Sequence, residues 1–598
     1  MKQTTEIESN QAVLGAMPDT KGLNFYTEDH NLQYLLRRYL SQEDIERAEI
    51  ELSKLGDDAG NALDFFSRVA EKNGPELVKY NAKGERIDEI EFNNAYKEME
   101  KLGYSKYELV AMAHQENVQG WPGKFPLVLK YAFWYLFAQA EFSLLCPMSM
   151  TDSAARIVSK FASKEMKEQY LPKLTTTDMD EMWTGAQFMT EKQGGSDVGA
   201  NSSTAKQVDG EWRITGDKWF CSNPTADIIL VLARPEGAEK GTRGLGMFLV
   251  PRRLENGELN NYTINRLKDK FGTKDMASGE ITFDGAKAYV LGELSNGFKQ
   301  MMEMVNSSRL SNAVRSTGLI RRGYLESITY AKGRLAFGKP LSEQPLMVET
   351  IYEQLIDSEA SAAMVIHTAQ VYNDSENGND EKYFLLRILT PILKGYICKR
   401  ARYLSGEAME ARGGNGFIED WVNPKLVRDA HVGSIWEGTT NILALDVIRA
   451  SLRNQANELL FNDITKRLSN IQNPFVNRVS KILKNIVEKT NVQTAKILEM
   501  KGEKREFSAK NIMNKLYHLT AASLLLLEAD DMAEEQNNYR KLFVAITYLE
   551  RYLLGDNASI MRISDEYLLE WFEDIVDWNK IQQESITPLV EKMEASYF

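Results

Sequence analysis

The chain has 598 residues and a formal net charge of −13, from 72 basic and 85 acidic side chains. At roughly 150 residues per domain this length predicts about four domains or subdomains. A composition of 43% apolar and 26% charged residues excludes disorder or a collagen-like repeat as a description of the whole.

The three cysteines are too scattered for a disulfide framework, and the five histidines lack paired spacing, which argues against a metalloenzyme. The acidic balance disfavours nucleic acid as a partner.

In chain order, residues 1–19 are polar and lack the apolar core of a signal peptide. Helical periodicity dominates residues 31–182. It is broken by the polar turn Tyr80-Asn81-Ala82-Lys83-Gly84, where glycine supplies a positive φ. The longest apolar stretch, residues 131–148, is interrupted by Gln139 and Glu141, and residues 524–527 are a run of only four leucines. Neither reaches the roughly 18 residues of a membrane-spanning helix. Both read as buried helices, so the expectation is a cytoplasmic protein without a membrane partner.

Between residues 182 and 292 the pattern becomes strand-like. Residues 203–208 and 211–215 flank Asp209-Gly210, which suits a type I′ hairpin turn. Further β-rich runs at 228–233, 246–250, 262–267 and 279–283 predict a compact antiparallel sandwich or barrel. Amphipathic helices return at 298–332, 345–373 and 382–411, and nearly 150 further helical residues follow Ala450. The predicted fold is α+β and mostly helical. Its parts are an N-terminal α domain (1–182), a middle β-sandwich or barrel (183–293), a C-terminal four-helix bundle (294–450) and an additional helical extension (451–598).

Three segments could carry chemistry. In Thr190-Glu191-Lys192-Gln193-Gly194-Gly195-Ser196-Asp197, paired glycines let the backbone approach a ligand, and Thr190 and Ser196 can hydrogen-bond it. A plain surface turn explains the same residues. In Lys218-Trp219-Phe220-Cys221-Ser222-Asn223, period 2 puts Phe220 and Ser222 on one face. An aromatic there could stack on a planar cofactor or simply fill a sheet core. Ile435-Trp436-Glu437-Gly438-Thr439-Thr440-Asn441 precedes a helix from Asn441, with Thr439 or Thr440 as N-cap. Glu437 is either a first-turn charge favoured by the helix dipole or, if enclosed, a general base with a raised pKa. The residues alone leave both open.

Together these motifs resemble the acyl-CoA dehydrogenase family. Met-Thr-Glu-x-x-Gly-Gly-Ser-Asp (189–197), Lys-Trp-Phe-x-Ser-Asn (218–223), Arg-x-x-Phe-Gly (334–338), Gly-Gly-Asn-Gly-Phe (413–417) and Trp-Glu-Gly-Thr-Thr-Asn-Ile (436–442) occur in the family's order. The segments 75–88, 145–151, 266–270 and 445–449 resemble its AidB branch, as does the helical extension.

The resemblance implies FAD and an FAD-dependent acyl-CoA dehydrogenase. Gln187, Phe188, Met189 and Thr190 would border the pyrimidine side of the flavin, and Gly195 and Ser196 the pyrophosphate. Phe220 and Ser222 would cover the ring near N5, although most members carry Trp and Thr there, and Cys221 between them belongs to the cofactor set. Arg334, Phe337, Glu410, Gly413 and Gly414 would meet the adenosine end in a neighbouring subunit, Glu410 standing where Gln is common. Trp436, Gly438, Thr439 and Asn441 complete the cofactor set, and Arg309, Ser196 and Gly438 the acyl-CoA set.

Glu437 matches the usual catalytic base. The alternative position before Arg309 holds Ser308, which cannot act as one. The implied partners are an acyl-CoA substrate, an electron-transfer flavoprotein and further copies of the chain as a homodimer or homotetramer. The AidB branch suggests an alternative: a weakly active flavoprotein with a protective or nucleic-acid-binding role. By count, residues 451–598 hold 19 basic and 22 acidic side chains, net −3, with a local basic stretch at 466–510. That balance speaks against DNA.

Overall fold

Burial follows the apolar pattern from the first helices onward. The computed structural model describes residues 17–555 and 561–597, so the reading of residues 1–16 lies outside it. After α1 (His30–Arg37), the helix α2 (Leu127–Ala140) is buried at every position, as a helix apolar on all sides must be. It stops where Glu141 turns inward. That carboxylate accepts the Ser67 hydroxyl at 2.6 Å and the backbone N–H groups of Ser143 and Leu144. The residue that interrupts the apolar run therefore caps the break. No helix of the described residues is long and apolar enough to cross a membrane.

The polar turn at 80–84 joins two strands that the sequence reading leaves out, β1 (Glu76–Tyr80) and β2 (Arg86–Glu91), paired antiparallel. They dock on the middle domain. Arg86 donates to the Tyr262 carbonyl at 2.9 Å and the Thr263 hydroxyl at 2.7 Å, and Asp88 accepts the Ile264 N–H. A hairpin from within residues 1–182 thus packs with the β domain.

Asp209 and Gly210 adopt φ of 52° and 83°, as the expected I′ turn requires. They join β4 (Thr204–Val208) to β5 (Glu211–Ser222), which follow β3 (Gly185–Phe188). Then come β6 (Ile228–Pro235), β7 (Gly246–Pro251), β8 (Tyr262–Leu267) and β9 (Ser278–Val290). The pairings β6–β4–β5–β9–β7–β6 close into a barrel, with β3 added on β6 and β8 on β9. The expectation of an all-antiparallel sheet is corrected, because β3–β6 and β4–β6 run parallel. Parallel neighbours are never joined by a tight turn, so turn-based reading cannot find them.

Helices α3 (Gly297–Gly333), α4 (Pro345–Glu376) and α5 (Asp380–Ala411) form the C-terminal bundle with α6 (Thr440–Asn454). The predicted boundary at residue 450 falls inside α6, which ends at Gln455 in a left-handed conformation, φ 52°. Beyond it, α7 (Ala509–Gln536) and α8 (Arg540–Leu549) share one apolar core with the bundle. A buried ionic cluster joins the two. Arg540 donates to both oxygens of Glu359 on α4, and the Lys541 ammonium lies 2.8 Å from Glu359, 2.7 Å from Glu528 and against Asn31 of α1. Burial acts to raise the Glu359 carboxyl, but Arg540 and Lys541 outweigh it and hold it at about 2.

Lys541→Met leaves Glu528 buried opposite a thioether. Stripping one partner from such a pair costs about 3–5 kcal/mol. The expected outcome is a urea midpoint well below that of wild type at unchanged slope, and an unchanged midpoint would refute the assignment.

Candidate active site

Two of the sequence motifs meet at the barrel's edge. The loop after β3 is anchored by Glu191, whose carboxylate accepts the N–H and hydroxyl of both Ser202 and Ser203. Lys218 of β5, wholly buried, donates to it at 2.7 Å. Burial acts to raise the Glu191 carboxyl, but Lys218 and the serine donors hold it down at about 2. Because the folded value is depressed, this stabilisation is present in full above the ordinary carboxylate range and is lost as pH falls from there through about 2.

Within the loop, a Cβ on Gly195 would lie 2.5 Å from the Thr190 hydroxyl, and Gly194 sits at φ 124°. Only glycine suits this pair of positions. The Trp219 N–H bonds the Thr190 carbonyl at 2.9 Å, so the loop and the aromatic strand lie side by side.

On that strand Phe220 is 60% exposed. Ser222 is half-buried, its hydroxyl 3.4 Å from that of Ser278. Cys221 between them is fully buried in the sheet core, as is Phe188 on β3. The expectation for these two is therefore corrected: their side chains fill the barrel and neither residue reaches the surface. Gln187 points a buried Oε1 with no protein partner. Met189 gives its carbonyl to Asn201 at 3.0 Å, and Ser196 is exposed on the loop.

The Glu437 turn lies between α6 and the helix Asn423–Gly433. Glu437 adopts φ 58° and Gly438 φ 98°, a left-handed stretch that costs a non-glycine residue about 1–2 kcal/mol. Two cations hold it. Arg309 of α3 donates to the Glu437 carbonyl at 3.0 Å and to Asp446 at 2.8 Å, while Lys394 of α5 donates to the Trp436 carbonyl at 2.7 Å and to that of Gly438. Arg387 is the second partner of Asp446. Arg309, expected at the substrate, grips the turn that carries Glu437. Thr439 occupies the N-cap position, although its hydroxyl makes no capping bond, and Asn441 is exposed on the first turn.

The Glu437 side chain is 11% exposed, and its Oε1 lies 3.8 Å from Arg315 while Oε2 has no partner. Burial pushes its carboxyl above the ordinary value, opposed by Arg315, Lys394 and Arg309. Burial likewise draws the Lys394 ammonium down to about 8. Trp436 stacks on Phe142 at 5.9 Å between centroids and 11° between planes. Sequence reasoning missed Arg315, Lys394, Phe142 and Asp446. For Arg315 a signal existed, since Ser308, Asn312 and Arg315 stand at i, i+4 and i+7 on one helix face.

The remaining expected residues form a separate patch. Glu410 follows Lys394 on α5 by 16 residues, about 24 Å at 1.5 Å per residue. Phe337 is 96% and Phe417 78% exposed. The chain neighbours of Arg334 and of Gly413-Gly414 meet at residues 17–18, where Arg412 and Asn415 on one side and Gly333 on the other abut the chain.

Three family models match the chain. They are the adaptive response protein AidB N-terminal domain (residues 16–181) and the middle (186–286) and C-terminal (295–452) domains of acyl-CoA dehydrogenase. Acyl-CoA dehydrogenase family member 11 of Caenorhabditis elegans is 35% identical over 71% of this chain and 70% of its own length. The putative acyl-CoA dehydrogenase AidB of Escherichia coli is 34% identical over 67% and 73% respectively. A solved structure of C. elegans ACDH-11 in complex with C11-CoA is 28% identical, covers 97% of this chain and 96% of that one, and has a TM-score of 0.80. With these matches over the geometry above, the chain belongs to the acyl-CoA dehydrogenase family of FAD-dependent oxidoreductases.

Proposed function

We propose that this protein dehydrogenates an acyl-CoA thioester between its α and β carbons, giving a trans-2-enoyl-CoA. The observation that carries this reading is Glu437, a buried carboxylate on a left-handed turn with one oxygen free of any partner. Complexation of the related ACDH-11 with C11-CoA supports the acyl-CoA class.

The residues at the barrel edge suit FAD. The Gly194-Gly195 loop offers the close backbone approach a pyrophosphate needs, the orphaned Gln187 Oε1 offers an acceptor for a ring N–H, and exposed Phe220 offers a stacking face. FAD, when bound there, supplies the acceptor for the two electrons of the β-hydride. The protein's own part is proton transfer and polarisation. Glu437 takes the α-proton on Oε2, and its raised pKa makes it a stronger base than an exposed carboxylate. Its backbone N–H, which has no backbone acceptor among the described residues, donates to the thioester carbonyl and stabilises the developing enolate. The cations on Glu437's flanking carbonyls keep base and donor in register.

Further parts of the reading rest on the family pattern. Reduced enzyme passes electrons to an electron-transfer flavoprotein. The exposed Phe337 and Phe417, beside Arg334, Glu410 and Gly413-Gly414, support a homo-oligomer in which this patch meets a neighbour's cofactor. The acidic balance of residues 451–598 favours catalysis over the nucleic-acid alternative.

Lys218→Met should release FAD, since it leaves Glu191 buried and unpaired and frees the loop it anchors. Gel filtration followed by flavin absorbance reads this directly, and wild-type stoichiometry would show that the loop stands without the pair. Glu437→Gln should keep FAD and bind acyl-CoA yet lose about 10²- to 10⁴-fold in flavin reduction. Anaerobic rapid mixing decides it, and reduction within a few-fold of wild type would make Glu437 a structural charge.

A further inference from the structure

An aliphatic acyl chain asks only for apolar walls, and a buried polar group facing such a chain goes unsatisfied at a cost of about 1–3 kcal/mol. The walls around the Glu437 turn are not apolar. Six buried polar atoms without partners converge there: Ser308 Oγ, Asn312 Oδ1, Arg315 Nη1 and Nη2, Trp436 Nε1 and Glu437 Oε2. Ser308, Asn312 and Arg315 are 1%, 0% and 0% exposed and share one face of α3.

Arg315 is the extreme case. Its guanidinium carbon sits 5.2 Å from the Phe142 ring and 5.1 Å from the Trp436 ring, so the aromatic pair holds it in place. Its Nε bonds the Ser311 carbonyl at 3.4 Å. The nearest carboxylate oxygen, Glu437 Oε1, is 3.8 Å away, beyond hydrogen-bond range. The two Nη groups therefore meet no protein oxygen, only the neighbouring Cys146 thiol, and present a fork suited to bidentate oxygen ligands. Charge points the same way. Around the turn Arg309, Arg315, Arg387 and Lys394 face only Asp446 and Glu437, an excess of two positive charges.

We propose that the acyl group taken by this site carries an oxygen acceptor, carboxylate or hydroxyl, about two or three carbons beyond the α-carbon, and that Arg315 reads it. The inference rests on the acyl-CoA reading above and names its substrate class. The position follows from reach. A reacting carbon sits about 3–3.5 Å from its base, and Arg315 lies 3.8 Å from that same carboxylate, so the group it reads must be close along the chain. The charge excess ranks carboxylate ahead of hydroxyl.

The test uses FAD-loaded protein and redox-inert S-alkyl-CoA thioethers of equal chain length: unsubstituted, ω-hydroxy and ω-carboxy, with five carbons. Titration calorimetry should show an oxygen-bearing thioether binding wild type about 10- to 1,000-fold tighter than the plain one. Arg315→Met should abolish or invert that preference while retaining FAD and binding the plain thioether. Plain and oxygen-bearing chains binding wild type equally would mean that water alone satisfies the cluster, and would overturn the proposal. So would an Arg315→Met variant that weakens all three alike. Should the variant lose FAD, the wild-type comparison still decides. The matching thioesters separate the two readings: if none reduces the flavin, the dehydrogenase reading fails, whatever the thioethers rank.

Discussion

A left-handed backbone at Glu437 is the constraint on which the rest of the site depends. Non-glycine residues hold such a conformation only where their surroundings over-determine it, and here they do. Arg309 from α3 and Lys394 from α5 grip the carbonyls of residues 436, 437 and 438. The turn is thus strung between two of the long helices of the bundle. Its conformation sends Trp436 onto Phe142 and leaves the Glu437 carboxylate beneath them, beside Arg315. Moving either helix by an ångström would release a carbonyl bond and with it the position of the base.

The same device recurs at the barrel. A buried lysine and a buried glutamate, Lys218 and Glu191, organise the loop that approaches the cofactor, and the glutamate oxygens also accept from Ser202, Ser203 and the Gln193 amide. Buried ion pairs contribute little net stability unless all their hydrogen bonds are made. Where they are made, they specify geometry, and in this protein they stand at the loops that must be held still. Arg315 departs from that pattern, being buried with no protein oxygen on its two Nη groups.

What the sequence made legible was local. The Asp209-Gly210 turn, the strands around it and the long helices follow from turn chemistry and periodicity, which act over a few residues. The glycine-bearing motifs were legible for the same reason, since close backbone approach leaves a mark in residue type. What depends on packing was not. Cys221 and Arg309 belong to motifs whose neighbours face the site, yet the thiol fills the barrel and the guanidinium clamps a turn. The docking of β1–β2 on the barrel and the parallel run of β3 along β6 join residues far apart in the chain. Arg315 escaped because a polar stripe on a long helix reads as a solvated face until its neighbours are known.

The contact between Asn31 and Lys541 spans 510 residues, which has a consequence for biosynthesis. At about 5–20 residues per second, that separation corresponds to roughly 25 to 100 s of translation. Throughout that interval the face of α1 carrying Asn31 and Tyr34, the latter bonded in the folded protein to the Glu528 carbonyl, waits without its partner. Contacts of such high sequence separation slow folding and prolong the exposure of apolar surface. The nascent bundle therefore spends its synthesis with one side open, and a holding chaperone on that side would guard it until the closing helix emerges.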